Sequence, residues 1–67
     1  MQHDYDLFEI LPDQTIRWRT CVRGTKHALQ QLEVMCSQTT NECFATAVLT
    51  GEVIGRVNQR VAARLPL

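Results

Sequence analysis

Between Ile16 and Arg23 the chain reads Ile-Arg-Trp-Arg-Thr-Cys-Val-Arg, an alternation of apolar and polar positions with a period of two. Successive side chains of a β-strand point to opposite faces. One face therefore carries Ile16, Trp18, Thr20 and Val22, and the other Arg17, Arg19, Cys21 and Arg23. A strand divided this way belongs to a sheet with one face on a core and the other facing water or a partner. Tyr5 to Leu11 forms the preceding strand, with Phe8 and Ile10 opposed to Leu7 and Glu9. Pro12-Asp13-Gln14-Thr15 supplies turn chemistry between them. An even loop would set Ile10 against Arg17 and Phe8 against Arg19. A three-residue loop places Phe8 and Ile10 on the Trp18 face, with Glu9 opposite or diagonal to Arg17 and Arg19. One residue of slip reverses every side chain, so the odd loop is expected. Trp18 is then assigned to the core, and Cys21 to the opposite surface.

The period changes after Gly24. Thr25 is a candidate N-cap, and Ala28, Leu29, Leu32, Met35 and Cys36 recur along one helical face. Ser37 to Asn41 is rich in side chains that compete with helical hydrogen bonds and reads as a loop. Cys43 to Leu49 and Glu52 to Asn58 predict a second hairpin about Thr50-Gly51. A two-residue loop there pairs Val48 with Val53 and Phe44 with Val57, and sets Gly55 opposite Thr46, leaving room for the helix or Trp18. The predicted class is α+β: a two-layer ββαββ domain over residues 1–58, with a four-stranded antiparallel sheet and one helix on a single face. Residues 59–67 form a tail or short helical turn stopped by Pro66.

At 67 residues the chain is near the lower limit for folding without disulfides or metal. That makes self-association a reasonable expectation. Seven basic and seven acidic residues cancel, against a strong non-specific nucleic-acid binder. Their placement is uneven: Asp4, Asp6, Glu9 and Asp13 precede any Lys or Arg, and after Glu52 only Arg56, Arg60 and Arg64 are charged. Cys21, Cys36 and Cys43 make no closely spaced pair. Three free thiols fit a reducing cytoplasm. Every apolar run is interrupted too early for a signal peptide or a membrane span.

The segments Tyr5-Asp6-Leu7-Phe8-Glu9, Pro12-Asp13, Trp18, Val22-Arg23-Gly24, Asn41-Glu42-Cys43-Phe44 and Arg56-Val57-Asn58 carry a resemblance. Over residues 5 to 58 the chain resembles a set of short uncharacterised bacterial proteins. The resemblance implies a compact module in a bacterial cell, with glycine expected after the turn aspartate where this chain has Gln14. It implies no activity, cofactor or site.

The soft metal ligands Cys21, Cys36, Cys43, His3 and His27 lack zinc-site spacing, and Cys36 lies on the apolar helical stripe. No thiol is marked as activated, no glycine-rich phosphate loop is present, and neither catalysis nor a cofactor is expected. Arg17, Arg19, Arg23 and Arg56 beside Tyr5 allow RNA or single-stranded DNA on the free sheet face as an alternative. The favoured reading is protein association. Leu7, Arg17, Arg19, Cys21, Arg23, Ala45, Ala47, Ile54 and Arg56 are expected to form an interface on the outer face. It would serve a homodimer or another protein partner, through face packing or hairpin exchange.

Overall fold

In the computed structural model, residues 3–59 are described. Strands β1 (Asp4–Ile10) and β2 (Ile16–Arg23), helix α1 (Thr25–Gln38), and strands β3 (Cys43–Ala47) and β4 (Val53–Val57) follow in that order. The strands form one antiparallel sheet ordered β2-β1-β3-β4, with the helix on one face, an α+β fold of the expected class. The tail or short helical turn expected at residues 59–67 lies, but for Gln59, outside the described residues.

The first hairpin closes on three residues. Leu11 N–H donates to Thr15 O and Gln14 N–H to Leu11 O, each at 2.8 Å. Gln14 takes φ 74°, the left-handed conformation in which glycine is least strained. The Asp13 carboxylate accepts from the Thr15 N–H at 3.0 Å and its hydroxyl at 2.6 Å. Phe8 then stands opposite Trp18, Glu9 opposite Arg17 and Ile10 opposite Ile16, as loop parity requires.

Beyond that point the simple alternation fails. Leu7 faces Thr20 while Phe8 faces Trp18, so Arg19 is an extra residue, a β-bulge. Before the bulge, Ile16 and Trp18 share a face with Ile10 and Phe8. After it, Thr20 and Val22 lie opposite Leu7 and Tyr5, on the other face. The helix covers this second face. Its Ala28, Leu32 and Met35, spaced four and three apart, close over Tyr5, Leu7, Cys43 and Ala45.

The face assignment is therefore reversed for β1, β3 and the start of β2, while Val22 stays on the core side and Cys21 on the opposite surface. Trp18, expected in the core, is 56 % exposed, and Ile16 is 60 % exposed. Leu7 and Ala45, expected on the outer face, are fully buried, and Ala47 and Ile54 pack against the same core. Side-chain size explains the choice. Ala45, Ala47 and Gly55 keep that surface low enough for the helix to approach. A Cβ at Gly55 would lie 2.9 Å from Leu29 Cδ2 and 3.2 Å from Leu32 Cδ1.

Three local expectations also change. Gly24, with φ 94°, is the N-cap in place of Thr25, whose hydroxyl instead meets the Tyr5 hydroxyl at 2.7 Å. The helix runs on to Gln38, because the Thr39 N–H still reaches Met35 O at 3.0 Å. The second hairpin turns through four residues, Val48 to Gly51, with Gly51 N–H on Ala47 O at 2.7 Å. Phe44 consequently opposes Arg56, Gly55 opposes Ala45, and Ile54 is an extra residue in β4.

Two stability measurements check this core. Leu32→Ala should cost about 3 kcal/mol by chemical denaturation, whereas Trp18→Ala should cost under about 1 kcal/mol in the monomer. Equal losses would contradict the burial pattern. Gln14→Gly should raise stability by roughly 0.5–1 kcal/mol, since glycine relieves the left-handed strain at an entropic cost smaller than the gain.

Candidate functional site on the open sheet face

The sheet face away from the helix is organised in rows that cross the strands. One row runs Trp18 on β2, Phe8 on β1, Phe44 on β3 and Arg56 on β4, each a direct cross-strand neighbour of the next. Phe8 and Phe44 stack with ring centroids 5.2 Å apart and an interplanar angle of 24°. The Arg56 guanidinium carbon lies over the Phe44 ring, 5.5 Å from its centroid. Cation–aromatic contacts of this kind flatten an arginine onto the ring and leave its other face free.

Ile16 and Ile10 continue the apolar surface on one side of this row, and Val53 and Val48 border it on the other. The Trp18 indole N–H donates to Asp6 at 3.2 Å, fixing the ring against β1. Charges occupy two diagonally opposite corners. Arg23 pairs with Asp4 at 3.2 Å at the first corner, and Arg56 with Glu42 at 2.8 Å at the second. With Asp6 included, three acids meet two bases on this face.

The helix side carries a different arrangement. Glu9 is almost fully buried, and its carboxylate accepts from the Arg19 guanidinium, from Thr39 Oγ1 at 3.0 Å and from Asn41 Nδ2 at 2.7 Å. Asn58 Nδ2 donates to Thr39 O at 2.8 Å and Asn41 O at 3.1 Å, tying the end of β4 to the same loop. Among the described residues, no buried side-chain nitrogen or oxygen lacks a partner. Desolvation of a carboxylate is offset here by charge-assisted hydrogen bonds. The cluster joins β1, β2, the α1–β3 loop and the end of β4.

Two of the thiols, Cys21 and Cys43, are shifted away from the thiolate form. Desolvation, and then the Asp6 carboxylate, hold the Cys21 thiol above its ordinary value. Burial, and then Glu9, do the same to Cys43. Thiolates are the reactive form, and both shifts disfavour it. Cys36, expected in the core, is exposed and donates its Sγ–H to Asn58 Oδ1 at 3.2 Å. Among the described residues, no three His, Cys, Asp or Glu side chains are placed to hold a metal ion. A half-open cleft of about 230 Å³ lies between Tyr5, Ile54 and the β3–β4 turn, with His3 and Glu52 at its walls.

Of the residues expected at an interface, the bulge and the cross-strand register bring Cys21, Arg23 and Arg56 to the open face. Arg19 turns to Glu9, and Arg17, exposed opposite Glu9, takes the helix side of the edge strand. Leu7, Ala45, Ala47 and Ile54 belong beneath the helix. Phe8, Trp18, Ile10 and Ile16 were legible in the sequence as one surface through loop parity. Phe44 joins them only once the β1–β3 pairing is known.

The buried carboxylate makes acid stability testable. The Asn41 amide most of all, and then Arg19 and Thr39, outweigh desolvation and hold Glu9 below its ordinary value of 4.5. A depressed folded-state pKa gives stability that is complete above the unfolded value and lost as pH falls through the folded one. Thr15 holds exposed Asp13 below 3.8 in the same sense. Stability should therefore decline below about pH 4.5. Glu9→Gln should flatten that decline and cost roughly 1–3 kcal/mol at neutral pH. Urea titrations of both proteins from pH 3 to 7 provide the check. An unchanged pH profile would mean that Glu9 is not the group responsible.

No helix among the described residues is long and apolar enough to cross a membrane. No known protein family, curated protein or solved structure matches this chain, and the resemblance to short bacterial proteins gains no support from these comparisons.

Proposed function

We propose that this chain is a small non-enzymatic interaction module that associates with itself through the open sheet face. One observation carries the reading: the row Trp18, Phe8, Phe44 crosses three adjacent strands on a face that no element among the described residues covers. Contiguous exposed apolar surface on a small domain marks an interaction site. Aromatic residues and arginine are the side chains enriched in such interfaces. Four strands about 4.8 Å apart and roughly 20 Å long give a flat footprint near 400 Å². A standard interface buries about 800 Å² per partner, so a micromolar rather than nanomolar dimer is the expectation. The free thiols suit a reducing cytoplasm as its setting.

A second reading has its own support. Aromatic rings on the two central strands of a four-stranded sheet are a platform on which nucleic-acid bases stack. Charge weighs against it. Phosphate binding draws on uncompensated cations, whereas Arg23 and Arg56 each already hold a carboxylate and Asp6 adds a third acid.

Sedimentation across a dilution series tests the proposal. The parent should show a reversible dimer at micromolar concentration, and Trp18→Ser, which removes an exposed side chain, should weaken it at least about tenfold. A persistent 7.7 kDa species would reject self-association. Salt-sensitive submicromolar binding of an oligonucleotide by that species would establish the second reading.

A further inference from the structure

On the reading that the open face joins two copies, we propose that Asp6 keeps this association weak at neutral pH and promotes it in mild acid, by taking up a proton as the faces meet. Asp6 belongs to β1, an inner strand of the sheet, and lies half-buried on the same face as Phe8. Two residues separate them, about 7 Å along the strand. A face-to-face packing that covers the Phe8 and Phe44 rings therefore covers Asp6 too, whatever the angle between the strands.

The surroundings of Asp6 supply no cation. It stands opposite Cys21 on β2 and Thr46 on β3. Its side-chain neighbours are neutral donors: the Trp18 indole N–H at 3.2 Å, and the Cys21 thiol, which desolvation and then Asp6 keep protonated. The charged groups that flank it are Asp4 on its own strand and Arg23 on β2, and these bind each other at 3.2 Å. Arg56, further across the face, is held by Glu42 at 2.8 Å. A second copy brings the same groups, with both arginines already engaged.

Neutral donors do not replace the hydration that an ionised carboxylate loses when it is covered. Desolvation alone raises a carboxyl pKa by up to about 3–5 units, and protonation then removes the charge. The covered face thus binds more protons than the free one, and by linkage association strengthens as pH falls. Overall charge would act in the opposite sense. The chain is formally neutral at pH 7 and turns positive on acidification, so repulsion between copies would weaken a dimer. Neither histidine faces Asp6: His3 lines the cleft on the helix side, and His27 stands on the helix with Nδ1 3.1 Å from Arg23 O.

Sedimentation of the full chain from about pH 7.5 to 5 tests the role of Asp6. That range lies above the one in which the Glu9 cluster weakens. The parent dimer should tighten at least about tenfold across it. Asp6→Asn, whose amide oxygen can still accept from Trp18, should dimerise at least about tenfold more tightly than the parent at the upper pH, and lose most of the pH dependence. Asp4→Asn removes a charge of the same sign at a corner that Arg23 already neutralises, and should not tighten the dimer. Circular dichroism checks that each variant is folded.

An Asp6→Asn dimer no tighter than the parent, or one that keeps the parent's pH dependence, would overturn the role of Asp6 and leave self-association standing. Parent and Asp6→Asn both monomeric at every pH would overturn self-association itself, and this proposal with it.

Discussion

Arg19, inserted into β2 where the register passes from Leu7 to Phe8, is the constraint on which both faces of the sheet depend. Without it, Trp18 and Val22 would share a face. The bulge divides them. Val22 and Thr20 pass to the helix side, while Trp18 and Ile16 remain on the open side beside Phe8 and Ile10. A bulge also bends and twists the strand that carries it and re-aims nearby side chains. Here it directs the Arg19 guanidinium to the buried Glu9 carboxylate.

That ion pair anchors a polar lock at one end of the domain. Glu9 gathers Arg19, Thr39 and Asn41, and Asn58 holds the backbone of the same loop from β4. In a chain this short the apolar core is small, consisting of one helical stripe over Tyr5, Leu7, Cys43 and Ala45. A buried charge with every partner in place adds specificity where packing alone supplies little. It also carries a cost, since the lock depends on Glu9 remaining ionised.

The open face follows from how that core is built. Small residues lie under the helix, and the large rings are left on the other side. Among the described residues one helix is present, and it covers one sheet face. The opposite face is aromatic at its centre, through Trp18, Phe8 and Phe44. At two diagonal corners it is charged, through Arg23 with Asp4 and Arg56 with Glu42. Edge strand β2 is less suited to pairing with another chain, because its bulge and exposed arginines interrupt a flat hydrogen-bonding edge.

Local chemistry was enough to read the element order and much of the first hairpin. Alternation at Ile16–Arg23, turn residues at Pro12–Gln14 and the stripe Ala28, Leu32, Met35 are short-range signals, and each specifies its own segment. The three-residue loop, and with it the pairing of Phe8 with Trp18, followed from parity alone. Which sheet face the helix covers did not. Both faces of β1 are partly apolar, with Leu7 on one and Phe8 and Ile10 on the other, so burial was nearly degenerate along the strand. Tertiary structure settled it through three long-range facts. Two were the bulge at Arg19 and the room left by Ala45 and Gly55 beneath Leu32. The third was the second hairpin, whose four-residue turn and extra residue Ile54 together set Phe44 opposite Arg56. A bulge changes the parity of a strand without changing its composition. The residues that face one another across it are therefore determined by packing rather than by pattern.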